Sequence, residues 1–407
     1  MRGVIKGFTI LVFIITATVW VLIGYYAAAM PQQFSVTEGK TLRLDGVVTA
    51  VRDNDSAAPR AASVNGTTHN ETLRLFGVFP IKTVRVQVVE QPVVVVAGVP
   101  FGIKLYTDGV LIVGFTDVDT AAGPYNPART AGLRVGDVVV SVDGRAVNTN
   151  EELKNAVESS GGSYMTFVIR RDNLSFSVRF RAVRSQTENC YKSGFWVRDS
   201  SAGIGTLTFF DPDERFFGGL GHAVCDVDTD EPLPISAGEI VAAEIYDVEK
   251  GSVGTAGSLC GAVGDDAIGN LVENGAAGVF GILTRMPGAC FRTMPVAMKQ
   301  QVSTGSAQML TTVAGTTPQL YDIEIVQIRY SETALTKNMT IRVTDPVLLE
   351  KTGGIVQGMS GSPIVQDGKL VGAVTHVLLD DPQRGYGIFA ENMLSASGMT
   401  AQSAASA

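Results

Sequence analysis

From Gly7 to Met30 the chain carries no charged residue, and the run contains Phe8-Thr9-Ile10-Leu11-Val12-Phe13-Ile14-Ile15 and Val19-Trp20-Val21-Leu22-Ile23. At 1.5 Å per residue, some 22 residues span about 30 Å of hydrocarbon, so the run predicts a membrane-crossing helix over residues 1–31 with Trp20, Tyr25 and Tyr26 at the outer interface. Arg2 and Lys6 keep the short N-terminal side in the cytoplasm and send the rest of the chain across. A cleaved signal peptide is the alternative, because Ala27-Ala28-Ala29 offers a small-residue cleavage site, but the run exceeds the roughly 7–15 apolar residues of a signal core. A buried core helix is disfavoured, since nothing in the run makes a solvent face.

The remaining 375 or so residues are too many for one ordinary domain of roughly 150. Forty acidic against thirty-two basic residues give a net charge of −8, which argues against a nucleic-acid partner. Cys190, Cys225, Cys260 and Cys290 stand far apart with no Cys-x-x-Cys pair, so they fit neither a zinc ribbon nor a dense disulfide framework, and no metal or cofactor is expected. Residues 32–97 read as a small β-rich module, with Val84-Arg85-Val86-Gln87-Val88 alternating as a strand. Residues 52–71 read as a polar insertion unable to bury a core, with His69 a solvated loop residue.

Residues 98–183 change character. Ala131-Gly132-Leu133, Gly136-Asp137, a run of valines and Asp143-Gly144 are followed by a helix from Asn150 to Ser159 and two strands. The segment resembles a bacterial PDZ domain. That resemblance implies that backbone amides around Phe101, Gly102 and Ile103 capture a peptide carboxylate, and that the peptide adds as a strand whose last side chain packs against Leu153 and Val157. Residues 190–394 are short strands separated by glycine turns, predicting a pair of packed barrels, and residues 395–407 read as a frayed tail.

Chemistry concentrates in Gly358-Met359-Ser360-Gly361-Ser362-Pro363. A nucleophilic serine needs an exposed hydroxyl and backbone amides aimed at the oxyanion, and the glycines two before and one after permit that approach. The pattern resembles the serine loop of chymotrypsin-like peptidases, with the Gly358 and Ser360 amides as oxyanion hole. Only three histidines exist, and His222, set among glycines and small apolar residues, is the candidate base; the residues alone leave the acid open among Asp345, Asp226, another acid such as Asp247 or Asp265, and no essential acid at all.

Together with Gly219-Leu220-Gly221-His222-Ala223-Val224, Thr344-Asp345-Pro346, Thr352-Gly353-Gly354 and Thr375-His376-Val377-Leu378, these features identify the chain as resembling the stage IV sporulation protein B peptidases. The resemblance implies a mainly β protein: an N-terminal transmembrane helix, a β-rich module, a PDZ domain and a chymotrypsin-like double β-barrel. It implies a serine endopeptidase with His222 as base, Asp345 as orienting acid, Ser360 as nucleophile, and Thr375 and His376 on the substrate pocket. It further implies export from the forespore into the intermembrane space, self-processing, and cleavage of membrane-protein regulators of an intramembrane metalloprotease, which activates a late mother-cell sigma factor. The rival from another class is a catalytically silent PDZ scaffold that binds membrane-protein tails.

Overall fold

The computed structural model describes residues 2–44, 46–52, 67–171, 174–227, 229, 231–233, 235–288 and 292–398. The apolar run is one helix, Arg2–Ala29, of which Ile5–Ala29 is long and apolar enough to cross a bilayer. It leads into a four-stranded sheet ordered Gln33–Thr37, Phe79–Val89, Thr68–Leu75, Val48–Arg52, the first pair parallel and the others antiparallel. The period-2 alternation places Val84, Val86 and Val88 inward beside Phe34, Val36 and Leu73, with Arg85 facing solvent. The expected polar insertion is shorter than its 52–71 bounds. His69 lies within the strand Thr68–Leu75 rather than in a loop, its Nε2 3.0 Å from the carboxylate of buried Glu71. Residues 53–66, the core of that insertion, lie outside the described residues.

Six antiparallel strands close the first barrel: Pro100–Phe115, Phe195–Phe210, Phe216–Gly219, Gly278–Leu283, Ser258–Gly275 and Ile235–Glu249, the last pairing back onto the first. Two of these strands are 16 residues long. They stay paired from Pro100 opposite Thr206 to Phe115 opposite Phe195, and so leave the barrel as a two-stranded ribbon. Between them the chain builds the PDZ fold from Val138–Val142, Tyr164–Arg171, Leu174–Arg181 and the helix Asn150–Ser159, which opens with a Thr149–Glu152 capping box.

The PDZ domain expected over 98–183 and the peptidase domain expected from 190 share strands in the structure. The PDZ domain is inserted between the first two strands of the first barrel, and Pro100–Thr107 belongs to that barrel because it pairs on both edges within it. The second barrel closes over Gly305–Thr311, Gln319–Ile328, Met339–Val343, Asp381–Phe389, Lys369–Leu378 and Pro363–Gln366. Met309, Ile323, Ile325, Ile341 and Val374 fill it. The two barrels are the double-barrel architecture expected from the sequence. The helix Ala390–Ala396, which buries Met393 and Leu394, runs into the segment expected to fray, and residues 399–407 lie outside the described residues.

Candidate active site

One strand stitches the barrels together. Thr206 donates its amide to the Ser360 carbonyl at 2.9 Å and its hydroxyl to the Gly358 carbonyl at 2.8 Å; two residues on, the Thr208 hydroxyl donates to the Gly361 carbonyl at 2.7 Å. Residues two apart on a strand share a face, so one face of a first-barrel strand grips three carbonyls of the serine turn. This gives the glycines of that turn a concrete reason. A Cβ on Gly361, whose φ is +92°, would lie 2.0 Å from the Thr206 carbonyl oxygen and 2.5 Å from the Leu220 nitrogen. The close approach needed at the serine is an approach of the opposite barrel.

The turn is anchored upstream as well. Thr352 donates its hydroxyl to the Gly354 carbonyl at 2.6 Å, and Gln357 and Leu259 exchange the chain onto the first barrel through Gln357 N to Gly257 O at 2.8 Å and Leu259 N to Gln357 O at 2.9 Å. The Ser360 hydroxyl donates to the Thr375 carbonyl at 2.7 Å. Among the described residues the Gly358 and Ser360 amides donate no backbone hydrogen bond.

His222 follows the strand Phe216–Gly219 through Leu220 and Gly221, both in the left-handed region at φ +62° and +72°. Its Nδ1 is 2.7 Å from the Ala223 carbonyl. With that nitrogen donating, Nε2 keeps its lone pair, as a base requires. Burial pushes the His222 pKa below the ordinary 6.5, outweighing the Ala223 hydrogen bond that raises it. The His376 ring lies 4.7 Å away, tilted by 35°. His222, Gly358, Ser360, Thr375 and His376 thus line one cleft of about 660 Å³ between the barrels.

Asp345 is not in it. Its carboxylate caps the helix Pro346–Thr352, accepting from the amides of Val347 at 2.9 Å and Leu348 at 3.0 Å, and its other oxygen accepts from Asp322 N at 3.3 Å. Its charge is felt by Tyr321, whose hydroxyl is pushed up in pKa by burial first and by Asp345 second. The structure thus does not bring the expected Asp345 carboxylate to His222: an Asp directly before Pro346 satisfies the orphan amides of a helix start. Asp226 is buried, ion-paired with Arg198, and accepts from Thr229 N at 3.0 Å, the turn-capping geometry. Among the described residues no carboxylate lines the cleft.

A residue not anticipated from the sequence supports the histidine. Asn274 accepts from Val224 N at 2.7 Å and donates to Val224 O at 2.9 Å and Leu233 O at 3.1 Å, clamping the backbone just beyond Ala223. Fifty residues separate it from Val224, and Asn274-Gly275 reads locally as nothing but a turn.

Phe101, Gly102 and Ile103 do not form a carboxylate-capturing loop. They lie opposite Gly205, Ile204 and Gly203 on one edge and Ala242, Val241 and Ile240 on the other, and a Cβ on Gly102 would stand 2.6 Å from Val263 Cγ1. With both edges taken, no peptide strand can add there; Ile103 lines the cleft between the barrels instead. Leu153 and Val157 do wall a groove of about 600 Å³ on the PDZ domain, facing Phe195, Trp196 and Val197. Residues 195–197 of that strand pair with residues 112–115 on one edge, and among the described residues no strand pairs with them on the other.

Two family models match the chain. A PDZ domain family model matches residues 118–171, and that of SpoIVB peptidase S55 matches residues 189–394. Among solved structures, the Rv3671c protease of M. tuberculosis in its active form is 15% identical, covering 49% of this chain and 74% of its own, at a TM-score of 0.30; its inactive form is 16% identical over 48% and 84%, at 0.29. The PDZ domain of an SdrC-like protein from Listeria monocytogenes is 18% identical over 22% of this chain and 87% of its own, at 0.19. No curated protein matches the chain. The S55 match alone spans half of the sequence and takes in both the histidine turn and the serine turn, so the chain belongs to the SpoIVB peptidase S55 family of serine endopeptidases.

Proposed function

We propose that this peptidase cleaves its substrates with Ser360 as nucleophile and His222 as base. The observation that carries the reading is the shared cleft, lined by the Ser360 hydroxyl, the half-buried His222 imidazole whose Nδ1 lies against the Ala223 carbonyl, and the residues of two amides that donate no backbone hydrogen bond. The Ser360 hydroxyl turns from the Thr375 carbonyl toward His222 Nε2, which takes its proton as Oγ attacks the scissile carbonyl carbon. The Gly358 and Ser360 amides receive the oxyanion. The imidazolium returns the proton to the leaving amine, and a water repeats the sequence on the acyl-enzyme. Thr375 and His376 wall the substrate, and the Ala223 carbonyl together with the Asn274 clamp holds the imidazole.

The PDZ groove takes a peptide as a strand beside Phe195–Val197, its side chain against Leu153 and Val157. The substrates are membrane-protein regulators of an intramembrane metalloprotease, the enzyme processes itself, and the outcome is activation of a late mother-cell sigma factor from the intermembrane space. The family match supports this setting, and the apolar helix supports work at a membrane.

A fluorophosphonate probe on the full chain tests the chemistry. Ser360→Ala abolishes labelling and peptide cleavage, His222→Ala abolishes cleavage, and the double variant loses little more than either alone, because nucleophile and base act as a unit. Robust cleavage by Ser360→Ala protein would sink the assignment, and a folded wild-type chain inert to probe and peptide would favour a PDZ scaffold.

A further inference from the structure

The hairpin joining Thr68–Leu75 to Phe79–Val89 ends in Phe76-Gly77-Val78-Phe79, and its three apolar side chains are 56%, 63% and 42% exposed. A few scattered apolar residues on a surface need no explanation, but these three are contiguous and held outward by an unusual backbone. Phe76 adopts φ +52° and Gly77 φ +72°, with Phe76 N donating to Val47 O at 2.7 Å and Val78 N to Leu75 O at 3.1 Å. A bulky aromatic in the left-handed region is costly, and such outliers persist where the surroundings impose them and cluster at functional positions.

The position of the tip in the fold identifies what it faces. Lys82, three residues beyond Phe79, donates its Nζ to the carbonyls of Met30 at 2.5 Å and Ala27 at 3.2 Å, the end of the apolar helix. Tyr26 and Met30 pack against the core of the same sheet. At about 3.3 Å per residue, Phe79 lies about 10 Å along the strand from Lys82. The other end of that strand, around Gln87, is bonded to Gln33, and the chain then enters Val93–Val96, which pairs with the catalytic barrel. The tip half of the hairpin is thus the helix-proximal half, while Glu332 and Tyr330 of the second barrel meet the same sheet at Gln32 and Phe34.

We propose that Phe76, Val78 and Phe79 dip into the outer leaflet of the bilayer, a second lipid contact beside the N-terminal helix that fixes the orientation of the catalytic cleft over the membrane. The inference rests on that helix staying in the membrane. The headgroup layers extend the roughly 30 Å core to about 40–45 Å, a depth a tip this close to the helix end can reach, and apolar side chains such as Phe bury at the headgroup–acyl boundary.

The test reconstitutes the full chain in phosphatidylcholine–phosphatidylglycerol vesicles with brominated acyl chains. Trp196→Phe leaves Trp20 as the internal reporter of the helix, and Trp20→Phe/Trp196→Phe/Phe76→Trp reports the tip, with Val78→Trp in the same background as a second reporter should position 76 disturb folding. Both tip reporters are expected to show emission shifted to the blue and quenched by brominated lipid, while Val253→Trp, on an exposed turn of the first barrel, stays unquenched. If Trp20 is quenched and both tip reporters emit as in water, the tip faces solvent or a protein and the proposal is overturned. If Trp20 is itself unquenched, the helix is not embedded and the proposal falls with the anchor it rests on.

Discussion

Thr206 and Thr208 are chemically alike, stand on one face of one strand and each donate a hydroxyl to a serine-turn carbonyl, yet their removal has different consequences. Thr206→Val and Thr208→Val keep the shape of the side chain and delete one donor each, leaving the Gly358 or the Gly361 carbonyl without that partner. Both threonines are buried, at 1% and 0% exposure, so water does not replace the hydroxyl. Leaving a buried acceptor unsatisfied costs about 1–3 kcal/mol. For a unit of this size, each kcal/mol lowers the midpoint of thermal unfolding by about 2–4 °C, so both variants unfold several degrees early. Catalysis separates them. Gly358 carries one of the two proposed oxyanion amides, and deleting such a donor costs about 10²–10³ in turnover. An amide displaced but still present costs less, so Thr206→Val slows fluorophosphonate labelling of Ser360 about tenfold, whereas Thr208→Val, whose partner carbonyl belongs to no oxyanion donor, labels near the wild-type rate. Labelling rate at equal folded concentration, beside the melting temperature, is the assay. Equal labelling by both variants and wild type, with stability lost, would show that the second barrel alone sets the serine turn; unchanged stability in both would refute the stitching itself.

Because burial holds His222, the proposed base, below its ordinary pKa and a base must be neutral, kcat/KM of the free enzyme is expected to rise with pH through an inflection below 6.5 and to level at neutral pH; an inflection above 6.5 contradicts that role for this imidazole. Asp345→Ala costs about 1 kcal/mol as a lost helix cap, and Asp345→Asn, which keeps a capping oxygen, costs a few tenths, both read by thermal unfolding. Turnover of the Asn variant then separates cap from acid, since a dead enzyme of full stability means that the carboxylate reaches His222 in a rearranged cleft. Gly102→Glu destabilises the first barrel rather than blocking a peptide terminus, so it lowers melting temperature and all activities together. Trp196→Ala, on an exposed groove residue, leaves stability and short-peptide hydrolysis intact but weakens cleavage of protein substrates; equal loss of both activities points to a folding role.

Local features of the chain were legible without a structure. The uncharged run had to be a helix, Val84 to Val88 had to alternate across a sheet, and the glycines around Ser360 had to mark a turn pressed against something, because backbone geometry and side-chain period dictate these within a few residues. Even the cap was written locally, as Asp345 before Pro346. What a segment pairs with is another matter. Phe101-Gly102-Ile103 satisfies the apolar–glycine–apolar pattern of a peptide-binding loop and of a barrel strand equally well, and only pairing with Gly203–Gly205 and Ile240–Ala242, over a hundred residues later, makes it the latter. Likewise nothing near Asn274 announces that its amide will clamp the histidine turn fifty residues upstream. Hydrogen-bond partners across such distances are chosen by the closure of the barrel, which fixes every strand edge at once, so the sequence by itself singles out Ser360 and His222 as candidates while the tertiary structure alone decides what holds them in place.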